Sequence, residues 1–163
     1  METTWWLSKS DQPKANNRDV LLPYSDRMRK LIARGGEYRR ERPTGHGATQ
    51  GAFGRDNGGS IPTNLVTATN SSSNDYYHRQ CRQHNLPPHP ATIDARVIDF
   101  FVRMLTNEGD IVADFLAGSN KVGKVCEALN RRWIASEKSL TYVSGSKFHI
   151  PNYRNVAPDI CAI

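Results

Sequence analysis

Apolar positions follow a clear period only in the second half of the chain. From Asp110 to Glu137 the sequence reads DIVADFLAGSNKVGKVCEALNRRWIASE. The apolar run Ile111-Val112-Ala113 ends in Asp114, and a loop of small residues, Ala117-Gly118-Ser119-Asn120, follows. Val122, Val125 and Leu129 then recur at helical spacing, before the run Trp133-Ile134-Ala135 and the acid Glu137. The pattern predicts strand, tight loop, helix, strand. In open α/β sheets the carboxyl end of the first strand is where nucleotide-like ligands bind. Gly118 lets the backbone approach a ligand closely, and free N–H groups at the helix start favour polar or anionic groups. An acid ending the second strand is placed to accept hydrogen bonds from ribose hydroxyls. Turns of this kind also occur in packed α/β proteins without a ligand, so the stretch alone leaves both readings open.

Upstream, Thr92 to Leu105 carries one apolar stripe (Ile93, Val97, Ile98, Phe101, Val102, Leu105) and predicts an amphipathic helix capped by Thr92. Pro87-Pro88-His89-Pro90 enforces an extended lead-in. Asn107-Glu108-Gly109 closes the helix with a glycine at the left-handed C-cap. A shorter helix is expected over Tyr76 to Gln83, and a final one around Thr141 to His149. Near the start, Thr3-Thr4-Trp5-Trp6-Leu7 is β-prone. A strand this close to Met1 implies a sheet whose neighbouring strands come from elsewhere. Tyr24 to Ala33 predicts a helix capped by Ser25, with Met28, Leu31 and Ile32 on one face and Arg27, Arg29 and Lys30 on the other.

From Gly35 to Thr63 no period survives, and arginine, glycine and asparagine dominate. A stretch of this length is either disordered or a binding loop. Ile61 to Val66 is weakly extended, Asn70 to Asn74 is a loop, and 151–163 shows no pattern. There are no internal repeats.

Composition narrows the function classes. The 163 residues make about one domain with a modest core, since apolar residues are 37%. No apolar run approaches the roughly 20 residues needed to span a bilayer, and the start lacks a signal-peptide core. A soluble, cytoplasmic protein without a membrane partner is expected. Cys81, Cys126 and Cys161 are odd in number and show no CxxC spacing, which argues against a disulfide framework and against a metal site. A net charge of +6, unevenly spread, points to a polyanionic partner. Arginine, asparagine and histidine side chains in the unpatterned stretch suit phosphate contact and base reading.

The order of segments resembles the carboxyl-terminal part of site-specific DNA methyltransferases that modify cytosine at N4, from bacterial restriction-modification systems. The likeness runs from about Glu2 to Phe148. ETTWWLSKS looks like the family's late sheet strand, and FGRDNGGSIPTNL like the segment leaving its target-recognition region. HPATIDARVIDFFVRMLT resembles the helix beside the methyl donor, and IVADFLAGSNKVG the donor loop, whose usual form is near D-P-F-A-G-S-N-T-T-G. RRWIASE is similar to the strand whose terminal acid holds the donor ribose.

The resemblance implies an α/β, partial Rossmann-like S-adenosylmethionine-dependent methyltransferase fold with an irregular target-recognition insertion. The implied division is a late strand at 1–10, a target-recognition and DNA-contact region at 11–75, an S-adenosylmethionine-binding βαβ part at 76–150 and a tail at 151–163. Carried over by position, His89, Pro90, Asp114, Ala117, Gly118, Ser119, Asn120 and Glu137 would hold the cofactor S-adenosylmethionine. Arg27, Lys30, Arg39, Arg40, Arg42, His46, Arg55 and Asn57 would contact double-stranded DNA. The chain departs from the family at Phe115-Leu116, where it has Pro and Phe, at Lys121-Val122, where it has a threonine pair, and at Thr92, where arginine is usual.

Catalysis in this family uses a Ser/Asp/Asn-Pro-Pro-aromatic tetrapeptide whose polar groups accept hydrogen bonds from the amino group being methylated, with the aromatic stacked on the flipped base. Here the only Pro-Pro pair is Pro87-Pro88, between Leu86 and His89. No catalytic residue is therefore assigned, and the tetrapeptide would lie upstream of Met1. Three readings follow: one half of a split enzyme needing a second chain with the amino-terminal half, an inactive truncated remnant, or a DNA- or donor-binding module without catalysis. Adenine-N6 specificity remains a further alternative.

Overall fold

The computed structural model describes residues 3–36, 51, 53–69 and 73–150. The chain forms two compact units, Met1–Ala15 with Val66–Ile163, and Asn16–Leu65.

The larger unit is built on the predicted strand-loop-helix-strand pattern. Helix α2 spans Tyr76–Gln83, α3 Ala95–Leu105, β1 Ile111–Asp114, α4 Lys121–Ala128, β2 Arg132–Ala135 and α5 Leu140–Ser146, with a 3-10 turn at Lys147–His149. The strands pair in parallel, Ile111 opposite Arg132 and Asp114 opposite Ala135. A parallel pair needs a crossover connection, and α4 provides it. The core is the seam between α3 and α4. Ile98 and Val102 meet Val125, Cys126 and Leu129, with Val112 and Trp133 of the sheet packed against them. The spacing of Ile98 and Val102, and of Val125 and Leu129, places each pair on one helix face. The sheet's other face, with Ile111 and Ile134, stays exposed.

Helix ends explain much of the local order. In α2, Asp75 caps by accepting from the His78 N–H at 2.9 Å. Left-handed Asn85 and Asn130 follow α2 and α4. After α4 the Arg131 N–H donates to the Cys126 carbonyl at 2.8 Å and the Asn130 N–H to that of Glu127 at 3.3 Å; after α2, Leu86 and Asn85 bond Cys81 and Arg82 in the same way. These are Schellman terminations, which satisfy carbonyls that the helix leaves open. The Arg131 guanidinium donates to the Thr106 carbonyl at 2.9 Å, fastening the end of α3 to the lead-in of β2.

In the smaller unit, a 3-10 turn at Asn17–Val20 precedes helix α1, Asp26–Ala33. Ser25 caps α1 as expected, its hydroxyl accepting from the Met28 N–H at 3.2 Å. Met28, Leu31 and Ile32 are half-buried. Leu22 and Ser60 exchange backbone hydrogen bonds at 2.9 and 2.8 Å, an isolated antiparallel bridge.

Several expectations are corrected. Thr3 to Leu7 forms no strand, and Trp5 and Leu7 are 82% and 87% exposed. A strand exists only through its ladder, and no described segment pairs with this one. Helix α3 is capped by Asp94 rather than Thr92: its carboxylate accepts from the Arg96 N–H at 2.8 Å, and carboxylates lead threonine as caps. Gly109 is left-handed, but α3 has already ended at Thr106, and the Gly109 N–H instead donates to the Asn130 carbonyl at 2.8 Å. Cys81 and Cys126 are buried free thiols, whereas Cys161 and the tail at 151–163 lie outside the described residues.

Candidate functional site

The loop between β1 and α4 is fastened to the end of β2. Ser136 donates its N–H to the Asp114 carbonyl at 2.9 Å, and the Ala117 N–H donates back to the Ser136 carbonyl at 3.0 Å. The Ser136 hydroxyl reaches the Phe115 carbonyl at 3.0 Å, and Asp114 Oδ1 accepts from the Leu116 N–H at 3.1 Å. The two backbone bonds extend the parallel ladder past the strand ends, and the two side-chain bonds hold the loop between them.

Gly118 sits at the apex with φ +53°. Its N–H donates to Glu137 Oε2 at 2.9 Å. Glu137 Oε1 accepts from the Ser139 N–H at 2.9 Å. That second bond, reinforced by the first, holds the Glu137 carboxyl below the usual carboxylate range. The carboxylate is thus met by backbone N–H groups on both oxygens and keeps accepting capacity beyond them. Asn120 is buried and left-handed, and its side chain caps α4 by accepting from the Gly123 N–H at 3.1 Å.

His89 closes the other side. Its N–H donates to the Tyr77 hydroxyl at 2.9 Å, its Nδ1 bonds the Ala91 carbonyl at 2.7 Å, and its ring meets Tyr142 edge-on at 4.7 Å. A Cβ added to Gly118 would lie 3.0 Å from His89 Cε1 and Nε2. The bare glycine and the anchored imidazole thus pack against each other.

A cavity of about 220 Å³ opens here. Of the residues expected at the donor, His89, Asp114, Ala117, Gly118 and Ser119 line it. Asn120 and Glu137 act on the loop from outside the lining, and Pro90 is exposed in the lead-in. Ala91, Ile93, Leu116, Lys121 and Val122 also line the cavity and were not anticipated as contacts. For Lys121 the signal was its place immediately after the loop. Among the lining residues Leu116 is 90% exposed, and its neighbour Phe115 is also exposed.

In the smaller unit, Arg27 and Lys30 are exposed on α1, and Arg55 and Asn57 in a turn. The Asn57 N–H donates to the Tyr24 hydroxyl at 2.8 Å, which holds that turn beside the start of α1. Arg39, Arg40, Arg42 and His46 lie outside the described residues. Among the described residues no group of three or more histidine, cysteine or acidic side chains could hold a metal ion, and no helix is long and apolar enough to cross a membrane.

Comparison with known proteins bears directly on this geometry. A family model described as DNA methylase matches residues 1–148. The Type II methyltransferase M.PvuII of Proteus hauseri is 43% identical over 150 residues, which is 91% of this chain but 44% of that protein. The solved PvuII DNA methyltransferase, described as cytosine-N4-specific, superposes with a TM-score of 0.53 at 41% identity, over 55% of this chain and 32% of its own. This chain therefore spans less than half the length of that relative, and the expected partial Rossmann-like methyltransferase fold stands. With the strand-loop-helix-strand unit, its glycine apex and a family match over nearly the whole sequence, the chain belongs to the DNA methylase family.

Proposed function

We propose that this chain supplies the methyl-donor pocket and a DNA-contacting segment of a cytosine-N4-specific DNA methyltransferase that uses S-adenosylmethionine and acts on double-stranded DNA in the bacterial cytoplasm. The observation that carries the reading is the rigid Gly118–Glu137 pairing beside the cavity at the carboxyl end of β1, in a chain 43% identical to M.PvuII.

The residues present fit the donor. When bound, S-adenosylmethionine supplies a methyl group on a positively charged sulfur. Glu137 has lone pairs left to accept from ribose hydroxyls, and its lowered pKa keeps it an acceptor at neutral pH. Gly118 admits the ligand where a side chain would collide with His89. The anchored His89 and the exposed Leu116 border the ligand. The cavity is smaller than the roughly 300–1,000 Å³ usual for ligand sites. That size fits a site whose remaining wall comes from another part of the enzyme.

Transfer also needs a polar acceptor at the target amino group. The family's tetrapeptide is not among these residues. In this proposal it comes from the amino-terminal half of the methyltransferase, in the same polypeptide or as a second chain, which also covers Ile111 and Ile134 on the open sheet face. The segment at 11–75, with Arg27, Lys30, Arg39, Arg40, Arg42, His46, Arg55 and Asn57, contacts DNA, and 76–150 binds the donor.

The test combines this chain with the amino-terminal half of a cytosine-N4 methyltransferase, adds duplex DNA and labelled S-adenosylmethionine, and identifies the modified base by mass spectrometry. N4-methylcytosine that appears only with both halves supports the proposal. N6-methyladenine would overturn the base assignment, and no incorporation would leave the chain a binding module or remnant.

A further inference from the structure

Lys121 is the first residue of α4 and only 7% exposed, yet it lines the cavity. With most of the side chain buried, the ammonium at its tip favours a neighbouring anion. Its two acidic neighbours are already committed: Asp75 pairs with His78 at 2.7 Å and Asp94 with Arg96 at 2.8 Å. Among the described residues no carboxylate forms an ion pair with Lys121. Burial accordingly lowers its pKa, with the Lys124 charge adding to the effect. In the same cavity lining, Asp114 uses Oδ1 for the Leu116 N–H, and among the described residues its other oxygen carries no hydrogen bond. One cation and one anion thus face a single small space, a pattern complementary to a zwitterion.

We infer that Lys121 anchors the carboxylate of the donor's amino-acid end, while Asp114 takes its ammonium group. The inference rests on the donor-site reading above. It assigns to this chain an ionic contact at a position where the family has threonine, so the departure alters how the donor is held without removing the donor site.

The test separates the amino-acid end from the nucleoside. S-Adenosylhomocysteine and 5′-methylthioadenosine share the thioadenosine portion, and only the first carries the α-amino acid. Both are titrated into the whole chain and into Lys121→Met, Lys121→Gln and Lys121→Arg, with each variant's thermal melt recorded. The wild type should prefer S-adenosylhomocysteine, and Lys121→Met and Lys121→Gln should lower that preference about tenfold to a hundredfold, the range of a charge-assisted hydrogen bond. Lys121→Arg should retain most of it, and affinity for 5′-methylthioadenosine should not change. The melts should not fall, because the neutral variants remove a desolvated charge. An unchanged preference in Lys121→Met, or equal losses for both ligands, would overturn the assignment while leaving the donor site standing. Binding of neither ligand by the wild type would overturn the donor site and this inference with it.

Discussion

Replacing Gly118 with alanine tests the mechanical basis of the pocket. Two separate costs are built into that position. The first is conformational: φ is +53°, and a side chain in the left-handed region costs about 1–2 kcal/mol. The second is contact, since the new Cβ would sit 3.0 Å from two atoms of the His89 ring. The ring has little room to withdraw, being tied to the Ala91 carbonyl and abutting Tyr142. Overpacking of this kind adds about 1–3 kcal/mol. A combined loss of about 3 kcal/mol lowers Tm by about 6–12 °C at this chain length. Gly109→Ala is the control, with φ +79° and open space around the added methyl; it should lose only the conformational part, about 1–2 kcal/mol. Melts of Gly118→Ala, Gly109→Ala, His89→Ala and the Gly118→Ala/His89→Ala double variant isolate the contact. The double variant should be more stable than the sum of its single losses predicts. Donor affinity should fall in Gly118→Ala and hold in Gly109→Ala. Equal destabilisation by the two glycine substitutions, with no coupling to His89, would refute the reasoning.

His149 is buried against Tyr77, their rings stacked at 4.4 Å, and burial, aided by the nearby Lys124 and Lys121, pushes its pKa from 6.5 down to about 4. The folded form thus keeps His149 neutral while the unfolded chain takes up a proton, so stability falls as pH drops from about 6.5 towards about 4 and levels off below. His149→Phe keeps the stacking and removes this slope; urea unfolding at pH 7.5 and pH 5 should show the variant gaining on the wild type at the lower pH, and a pH-independent difference would contradict it. DNA affinity should fall steeply with salt, and alanine at Lys30 or Arg55 should each reduce the log–log slope by about 0.9 if both touch phosphate; an unchanged slope would remove that role.

How much of this was legible in the sequence depended on where the interactions lie. The helices and the parallel strands followed from local periodicity and capping, because Ser25, the α3 stripe and the apolar runs either side of α4 act within a few residues of themselves. The α3 cap was misplaced by two residues because Thr92 and Asp94 are both competent caps, and the carboxylate prevailed. Asn85 and Asn130 carry the sequence signal of their helix ends, since asparagine tolerates the left-handed conformation found there. The pairing of Gly118 with Glu137 was not legible, since it joins residues 19 positions apart that only the parallel register brings together. Thr3 to Leu7 shows the opposite failure: β-propensity alone does not make a strand without a neighbouring backbone to complete the ladder.

In the proposed function, the loop from Asp114 to Asn120, held by Glu137, binds S-adenosylmethionine. Calorimetric titration of S-adenosylmethionine into this chain tests it most directly. Saturable binding at one site is expected, weakened in Glu137→Ala and lost in Gly118→Val, with both variants still folded at the assay temperature. No binding by the unsubstituted chain, or binding that neither substitution alters, would contradict it.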